Sequence, residues 1–333
     1  MNLSEIYYPN LSRSKYFTFS KNYFISCTGK RALIFDKKLQ LIKEVDRLNY
    51  VYNAIVSPDE SKVLLISNSN CFYILSLENF IVTKYRVNGK YCYNLEGNGC
   101  WNLDGTGVCL CVTDPEEILS SFRMYELDNM NNYKDLIRDK YWLTCVLMIP
   151  NLKKYLITGV NRNNHKNYLI WYDGIMFKEN CINNFDDVIQ RVEYNSSKEC
   201  CIVYGLEKTA FCSTEGEIIQ NFKIDNNEKI MCNFSDVFFN IDESKQKIIK
   251  IISKCLGLEN NYIDDCVNCM CFFKEKYVFV GTKKSILCID NELKRIELKI
   301  DIPYGVEKIT EYDEDKLIVS TWNGIKIFKI NLE

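Results

Sequence analysis

Apolar residues in this chain fall into runs of about five to seven, rich in Val, Ile, Tyr, Phe and Cys, each bounded by Gly, Asn, Ser, Asp or Lys. Runs this short, β-branched and aromatic, are strand chemistry, and the polar bounds are turn chemistry. Helical periodicity is nearly absent. The runs also pair: an apolar run, a tight polar turn and a second apolar run recur along the whole chain, from NYFISCTGKRALIFD (22–36) to KLIVSTWNGIKIFKI (316–330). The eight units begin at Asn22, Lys62, Gly107, Lys154, Glu199, Asp236, Lys276 and Lys316, with intervals of 40, 45, 47, 45, 37, 40 and 40 residues. Further short runs precede several units, such as VYNAIV (51–56), LTCVLMI (143–149), VIQRVEY (188–194) and NCMCFF (268–273). Others follow them, such as FIVTKYRV (80–87), EIIQNFKI (217–224) and LKRIELKI (293–300). The spacing predicts a four-stranded repeat of about 42 residues.

The turn before the first run of several units, SPDESK (57–62), NLDGTG (102–107), NSSKE (195–199) and EYDEDK (311–316), resembles the Ser-Pro-Asp-Gly turn between strands a and b of WD40-type blades. The repeat as a whole is similar to a blade of the WD40-like β-propeller superfamily. That resemblance covers essentially the whole chain, although its motifs are soft. The only histidine is His165, no Trp-Asp pair occurs, and the ends of strand c read Phe35-Asp36, Tyr172-Asp173 and Ile289-Asp290. The buried Asp-His-Ser-Trp network of regular WD40 blades therefore has no residues to build it, and blade rigidity is expected from apolar packing. The resemblance implies an all-β, single-domain propeller over residues 1–333, built of four-stranded antiparallel blades. Eight strand pairs predict eight blades, with seven as the alternative. The weakest unit is the sixth (236–253), where KIMCNFS runs into DVFFNID without a clear turn. Strand accounting assigns the outer strand of the last blade to the N-terminal segment Leu3 to Tyr8, because the chain ends just after strand c of the last unit.

Composition narrows the class. Lys and Arg number 42 against 44 Asp and Glu, for a net charge of -2, so no global field draws the protein to nucleic acid or to an anionic membrane. The longest apolar run, Tyr141 to Ile149, is far short of the roughly 20 residues of a spanning helix. The N-terminal residues have no basic segment followed by an apolar one, so no secretory signal is expected. Seventeen cysteines, many inside strand runs, suit a reducing cytoplasm in which thiols act as small buried hydrophobes.

Candidate chemistry is sparse. Cys266, Cys269 and Cys271 have metal-like spacing but lack a second ligand pair, and Cys269 and Cys271 alternate as a buried strand demands, so no metal and no cofactor are expected. His165 sits in the polar loop NRNNHKN and reads as solvated. With a single histidine, Ser-His-Asp and Cys-His mechanisms are nearly closed off. The carboxylate pairs Glu116-Glu117, Asp186-Asp187 and Asp264-Asp265 read as loop solvation, because adjacent extended carboxylates point apart.

By analogy with WD40-like blades, one face carries the b to c turns and the d to a loops. It would gather Lys30, Arg31, Arg162, Lys283 and Lys284, together with Trp322 in the turn STWNG. The expected function is a non-catalytic interaction module or scaffold, not an enzyme. It would dock another protein or peptide, of acidic character, on that face. The protein is expected as a monomer or as part of a hetero-complex. The alternative is a propeller hydrolase or small-ligand receptor using carboxylates at the channel mouth.

Overall fold

The apolar runs become strands because each alternates its side chains across a sheet face that a neighbouring sheet covers. The computed structural model describes residues 2–6, 11, 16–67, 71–87, 91–92, 99–114, 119–187, 189, 191–195, 199–204, 208–224, 230–234, 267–274, 277–282, 284–290 and 295–331. Their contacts divide the chain into two compact units, residues 16–219 and residues 1–15 with 220–333.

In the unit of residues 16–219, the first sheet is the meander Tyr16–Phe19, Phe24–Thr28, Arg31–Phe35, Leu41–Val45, and the second is Val51–Val56, Lys62–Ser67, Cys71–Ser76, Val82–Arg86. The third sheet sets Tyr91–Cys92 and Gly99–Trp101 against Gly107–Asp114, followed by Leu119–Glu126 and Asn129–Arg138. The fourth is Tyr141–Ile149, Lys154–Asn161, Asn167–Tyr172, Phe177–Cys181. The fifth runs Arg191–Asn195, Cys200–Tyr204, Lys208–Ser213, Ile218–Ile224, Ile230–Phe234, and the division between the units falls inside its fourth strand. The other unit holds the sixth sheet, Val267–Phe273, Tyr277–Thr282, Ser285–Asp290, Arg295–Asp301. It also holds the seventh, Val306–Asp313, Lys316–Thr321, Gly324–Asn331, closed by Asn2–Ile6.

The described strands therefore make seven sheets, and the expectation of eight blades is corrected to the alternative of seven. The reason is local. KIMCNFS does not open a new blade; Ile230–Phe234 pairs antiparallel with Ile218–Ile224, from Gln220 opposite Phe234 to Ile224 opposite Ile230, and so widens the fifth sheet by one strand. The rest of the sixth unit, residues 236–253, lies outside the described residues. The expected closure is found over Asn2–Ile6, which pairs antiparallel with Gly324–Asn331, with Leu3 buried beside Leu317, Phe328 and Ile330; Tyr7 and Tyr8 lie outside the described residues.

The core lies between successive sheets. Ile25, Ala32 and Ile34 of the first sheet pack with Val63 and Leu65 of the second, and Leu64 and Phe72 of the second with Val108 and Leu110 of the third. Phe122 of the third meets Tyr155 and Tyr172 of the fourth, and Phe279 of the sixth packs with Val306 and Leu317 of the seventh. Apolar packing is supplemented by polar ties. The Trp101 indole N–H donates to the Ile55 carbonyl at 2.8 Å, joining the third sheet to the second. Tyr155 Oη accepts from the Leu103 N–H at 2.9 Å, and the Trp171 indole donates to the Thr214 carbonyl at 2.9 Å.

The a to b turns SPDESK and NLDGTG match the expected chemistry, while residues 196–198 of NSSKE lie outside the described residues. Asp59 accepts from the hydroxyls of Ser57 and Ser61, both at 2.6 Å, and these bonds hold its carboxyl down at about 2. In NLDGTG, Asp104 accepts from the Thr106 N–H and hydroxyl while Asn102 Oδ1 accepts from the Gly107 N–H. Gly105 closes the turn at φ +74°, a conformation that costs a side-chain-bearing residue.

Strand cysteines behave as core. Burial pushes the thiols of Cys27 and Cys212 up from the ordinary 9.0 to about 12, with Cys200 adding to the effect at Cys212. Below 9.0 these thiols are protonated folded or unfolded, and their contribution to stability is fully present. As pH rises from 9.0 toward 12, the unfolded chain sheds the proton and the folded chain keeps it, so stability falls. Each such thiol contributes a loss of about 1.4 kcal/mol per pH unit. Urea titrations across this alkaline range will show a falling midpoint, with a shallower fall in Cys27→Ala relative to its own value at neutral pH.

Candidate functional site

The proposed docking residues fall in both units, and each described one has a definite setting. In the unit of residues 16–219, Lys30 occupies the b to c turn of the first sheet, with Nζ 5.4 Å from the ring centre of Tyr50. The neighbouring Arg31 is spent on Glu44 of the outer strand, Nη1 to Oε1 2.9 Å. Arg162 lies over the Trp142 ring at 5.7 Å, and His165 stacks on the same indole with ring centres 5.9 Å apart. The histidine that reads as merely solvated is thus exposed but seated on an aromatic plane. Asn161 shapes this loop by accepting from the N–H groups of Asn163 and Asn164.

In the other unit, Trp322 stands in the two-residue turn joining Lys316–Thr321 to Gly324–Asn331. A turn this short leaves its side chains no core to enter, and 73 % of Trp322 is exposed. The turn is held on both sides. Thr321 Oγ1 donates to the Gly324 carbonyl at 2.7 Å and accepts from the Asn323 N–H at 3.2 Å. Gly324 itself takes φ +127°, a backbone region open in practice to glycine. The Trp322 N–H donates to the Tyr304 carbonyl at 3.1 Å, which fastens the turn to the loop between the sixth and seventh sheets.

That loop is what assembles the site. Tyr304 is 51 % exposed, and two residues earlier the Ile302 N–H donates to the carbonyl of Lys284, itself exposed in the b to c turn of the sixth sheet. Asp301–Gly305 therefore gathers Trp322, Tyr304 and Lys284 along one short stretch of backbone. Two exposed aromatics joined through one backbone bond can bury large apolar area while keeping a polar handle. Sequence reasoning missed Tyr304; its signal was the Pro303-Tyr304-Gly305 turn between two strand runs. Lys283 lies outside the described residues.

The remaining tryptophans are structural: Trp101 is fully buried and Trp171 nearly so. Cys269 is buried and Cys271 half-buried, while Cys266 lies outside the described residues, as do Glu116, Glu117, Asp264 and Asp265. Among the described residues, no group of three or more His, Cys, Asp or Glu gathers as metal ligands do. Asp186 and Asp187 are an exposed and a half-buried loop pair, and Asn167 Nδ2 donates to the backbone carbonyl of Asp187 at 2.8 Å. Among the described residues, no helix is long and apolar enough to cross a membrane.

No family model matches the chain, and no curated protein matches it in sequence. Among solved structures, the β-propeller domain of Myceliophteria thermophila Cps50 (Swd1) is similar, with a TM-score of 0.61 at 10 % identity over 99 % of this chain and 100 % of that one. At that identity the likeness concerns the fold alone, a β-propeller, and it agrees with the seven antiparallel sheets of the described strands, five of them four-stranded and the third and fifth five-stranded.

Proposed function

We propose that this protein is a non-catalytic interaction module, a single propeller domain of residues 1–333 that works in the cytoplasm and docks a partner protein or peptide. The observation that carries the reading is Trp322, 73 % exposed at the tip of a turn held by Thr321, Gly324 and Tyr304. A large aromatic fixed in water, beside a second exposed aromatic, is the type of residue on which binding energy concentrates. Lys284, exposed in the b to c turn of the sixth sheet, stands at the polar edge of the same loop. In the unit of residues 16–219, Lys30 and Arg162, each set over an aromatic ring, and Arg31, held by Glu44, are proposed as polar contacts of that unit's own b to c turns. The WD40-like fold supports the reading, because such propellers typically bind other proteins and carry their specificity on loops.

The test uses the partner that co-purifies with tagged protein from its own cells. Trp322→Ala and Tyr304→Ala will each weaken that association by at least about thirtyfold, or about 2 kcal/mol, with the circular dichroism spectrum and melting temperature unchanged. Undiminished recovery of the same partner by the Trp322→Ala, Tyr304→Ala double variant would sink the proposal.

A further inference from the structure

The unit of residues 16–219 carries a second feature, built from the opposite set of connections, the a to b and c to d turns of the fourth and fifth sheets. A cavity of about 390 Å³ opens between these two sheets, lined on its inner side by Trp171, Phe177 and Tyr194. Trp171 meets Tyr194 edge to face at 5.9 Å, so their planes are fixed. At the mouth stands the turn Asp173-Gly174-Ile175-Met176. The Asp173 carboxylate accepts from the N–H groups of Ile175 at 2.9 Å and Met176 at 2.8 Å, which locks the turn. Locked in this way, it holds Ile175 87 % and Met176 70 % exposed, and neither aliphatic side chain has a local reason to face water. Leu152, also exposed, adds to the apolar rim. Exposed aliphatics around an aromatic-lined hollow mark a binding site rather than ordinary surface.

Charge selects the occupant. Lys178 is committed to Glu215, with Nζ 2.5 Å from Oε2. The Asp173 carboxylate accepts from its own turn, and Lys154 lines the hollow without an ion pair to a described residue, so the lining holds two ammonium groups against the three carboxylates of Asp173, Glu199 and Glu215. Glu199, exposed on the rim, makes no ion pair or side-chain hydrogen bond with any described residue. The hollow therefore offers aromatic faces, an apolar rim and one carboxylate left over. We propose that it takes a basic side chain, Lys or Arg, from an extended segment of a partner protein. The apolar stem lies against Phe177 and Tyr194, the cation sits near Glu199, and a neighbouring aliphatic residue of the segment rests on Met176 and Leu152. Long cationic side chains with apolar stems suit such mixed surroundings. The inference does not depend on Trp322, which lies in the b to c turn of the seventh sheet.

The test is a fluorescence-polarisation series on the full chain with labelled extended heptapeptides. Their central residue is Arg, Lys, norleucine or Glu between two leucines. Arg and Lys peptides are expected to bind about tenfold more tightly than norleucine, and the Glu peptide to bind least. Glu199→Gln, an exposed conservative change, will erase the preference of Arg over norleucine. Met176→Ser will weaken all four peptides, and Trp322→Ala will leave the series unchanged. Equal binding of Arg and norleucine peptides by the unaltered protein, or a preference for Arg that survives Glu199→Gln, would overturn the proposal, as would failure of all four to bind.

Discussion

Trp101→Ala will cost about 4 to 5 kcal/mol, a large share of the roughly 5–15 kcal/mol by which folded proteins are stable. Two losses combine. The side chain is fully buried among Leu64, Val108, Leu110 and Tyr125, so truncation opens a cavity between the second and third sheets. The same change removes the indole N–H from the Ile55 carbonyl, a bond of 2.8 Å that spans 46 residues of sequence. Trp101→Phe separates the terms, since it keeps most of the ring volume and loses the donor, and about half of the full cost is expected. Trp322→Ala is the contrast, because a residue 73 % exposed contributes little to folding; its effect should stay within about 0.5 kcal/mol. Chemical unfolding of the three variants checks the order. Equal losses for Trp101→Ala and Trp322→Ala would mean that the assignment of core and surface is wrong.

Deleting residues 1–6 will destabilise the seventh sheet by several kcal/mol and turn the protein toward association. Asn2–Ile6 satisfies one edge of Gly324–Asn331 in antiparallel register, from Asn2 opposite Asn331 to Ile6 opposite Ile327. It also places Leu3 in the cluster with Phe328 and Ile330, and Glu5 accepts from the Lys326 ammonium at 2.8 Å. Without it, Gly324–Asn331 becomes an open strand edge of eight residues, a template for pairing with another chain. Size-exclusion chromatography of the truncated protein is expected to show dimers or larger species, with a lowered melting temperature. A peptide of residues 1–6 added in trans should partly restore the elution volume of the full chain. Leu3→Asp in the full chain tests the same strand without changing its length, and should lower stability by burying an unpaired carboxylate. A truncated protein that elutes as the full chain does, with an unchanged melting temperature, would contradict the pairing.

Much of the fold was legible because a propeller blade is local. Each meander joins neighbours in sequence through tight turns, so strand runs such as Lys62–Ser67 and Cys71–Ser76 announce both themselves and their pairing. The N-terminal closure was legible by counting, since one sheet lacked an outer strand. The blade number was not. An apolar run does not encode which edge it joins, and Ile230–Phe234 reads equally well as the start of a new blade or as the fifth strand it is. The polar ties were hidden for a related reason. Nothing near Trp101 in sequence points to Ile55, and nothing near Trp171 points to Thr214. At the candidate site, Trp322 was legible because a tight turn cannot bury an indole. Tyr304 was not, because its role depends on a backbone bond to a turn in the next sheet. Lys30, Arg31 and Arg162 were legible as turn cations, but their nearest neighbours Tyr50, Glu44 and Trp142 were not, and those neighbours set how much charge each can offer a partner.

The central claim is that Trp322 and Tyr304 face a partner, and site-specific photo-crosslinking in living cells tests it most directly. Benzoylphenylalanine in place of Tyr304 should give one discrete, light-dependent adduct. The same group in place of Tyr133, 40 % exposed on the outer strand of the third sheet, should give none. Loss of the adduct from position 304 on adding Trp322→Ala would complete the result. No adduct from position 304 in protein that is expressed and folded, or the same adduct from both positions, would contradict the account.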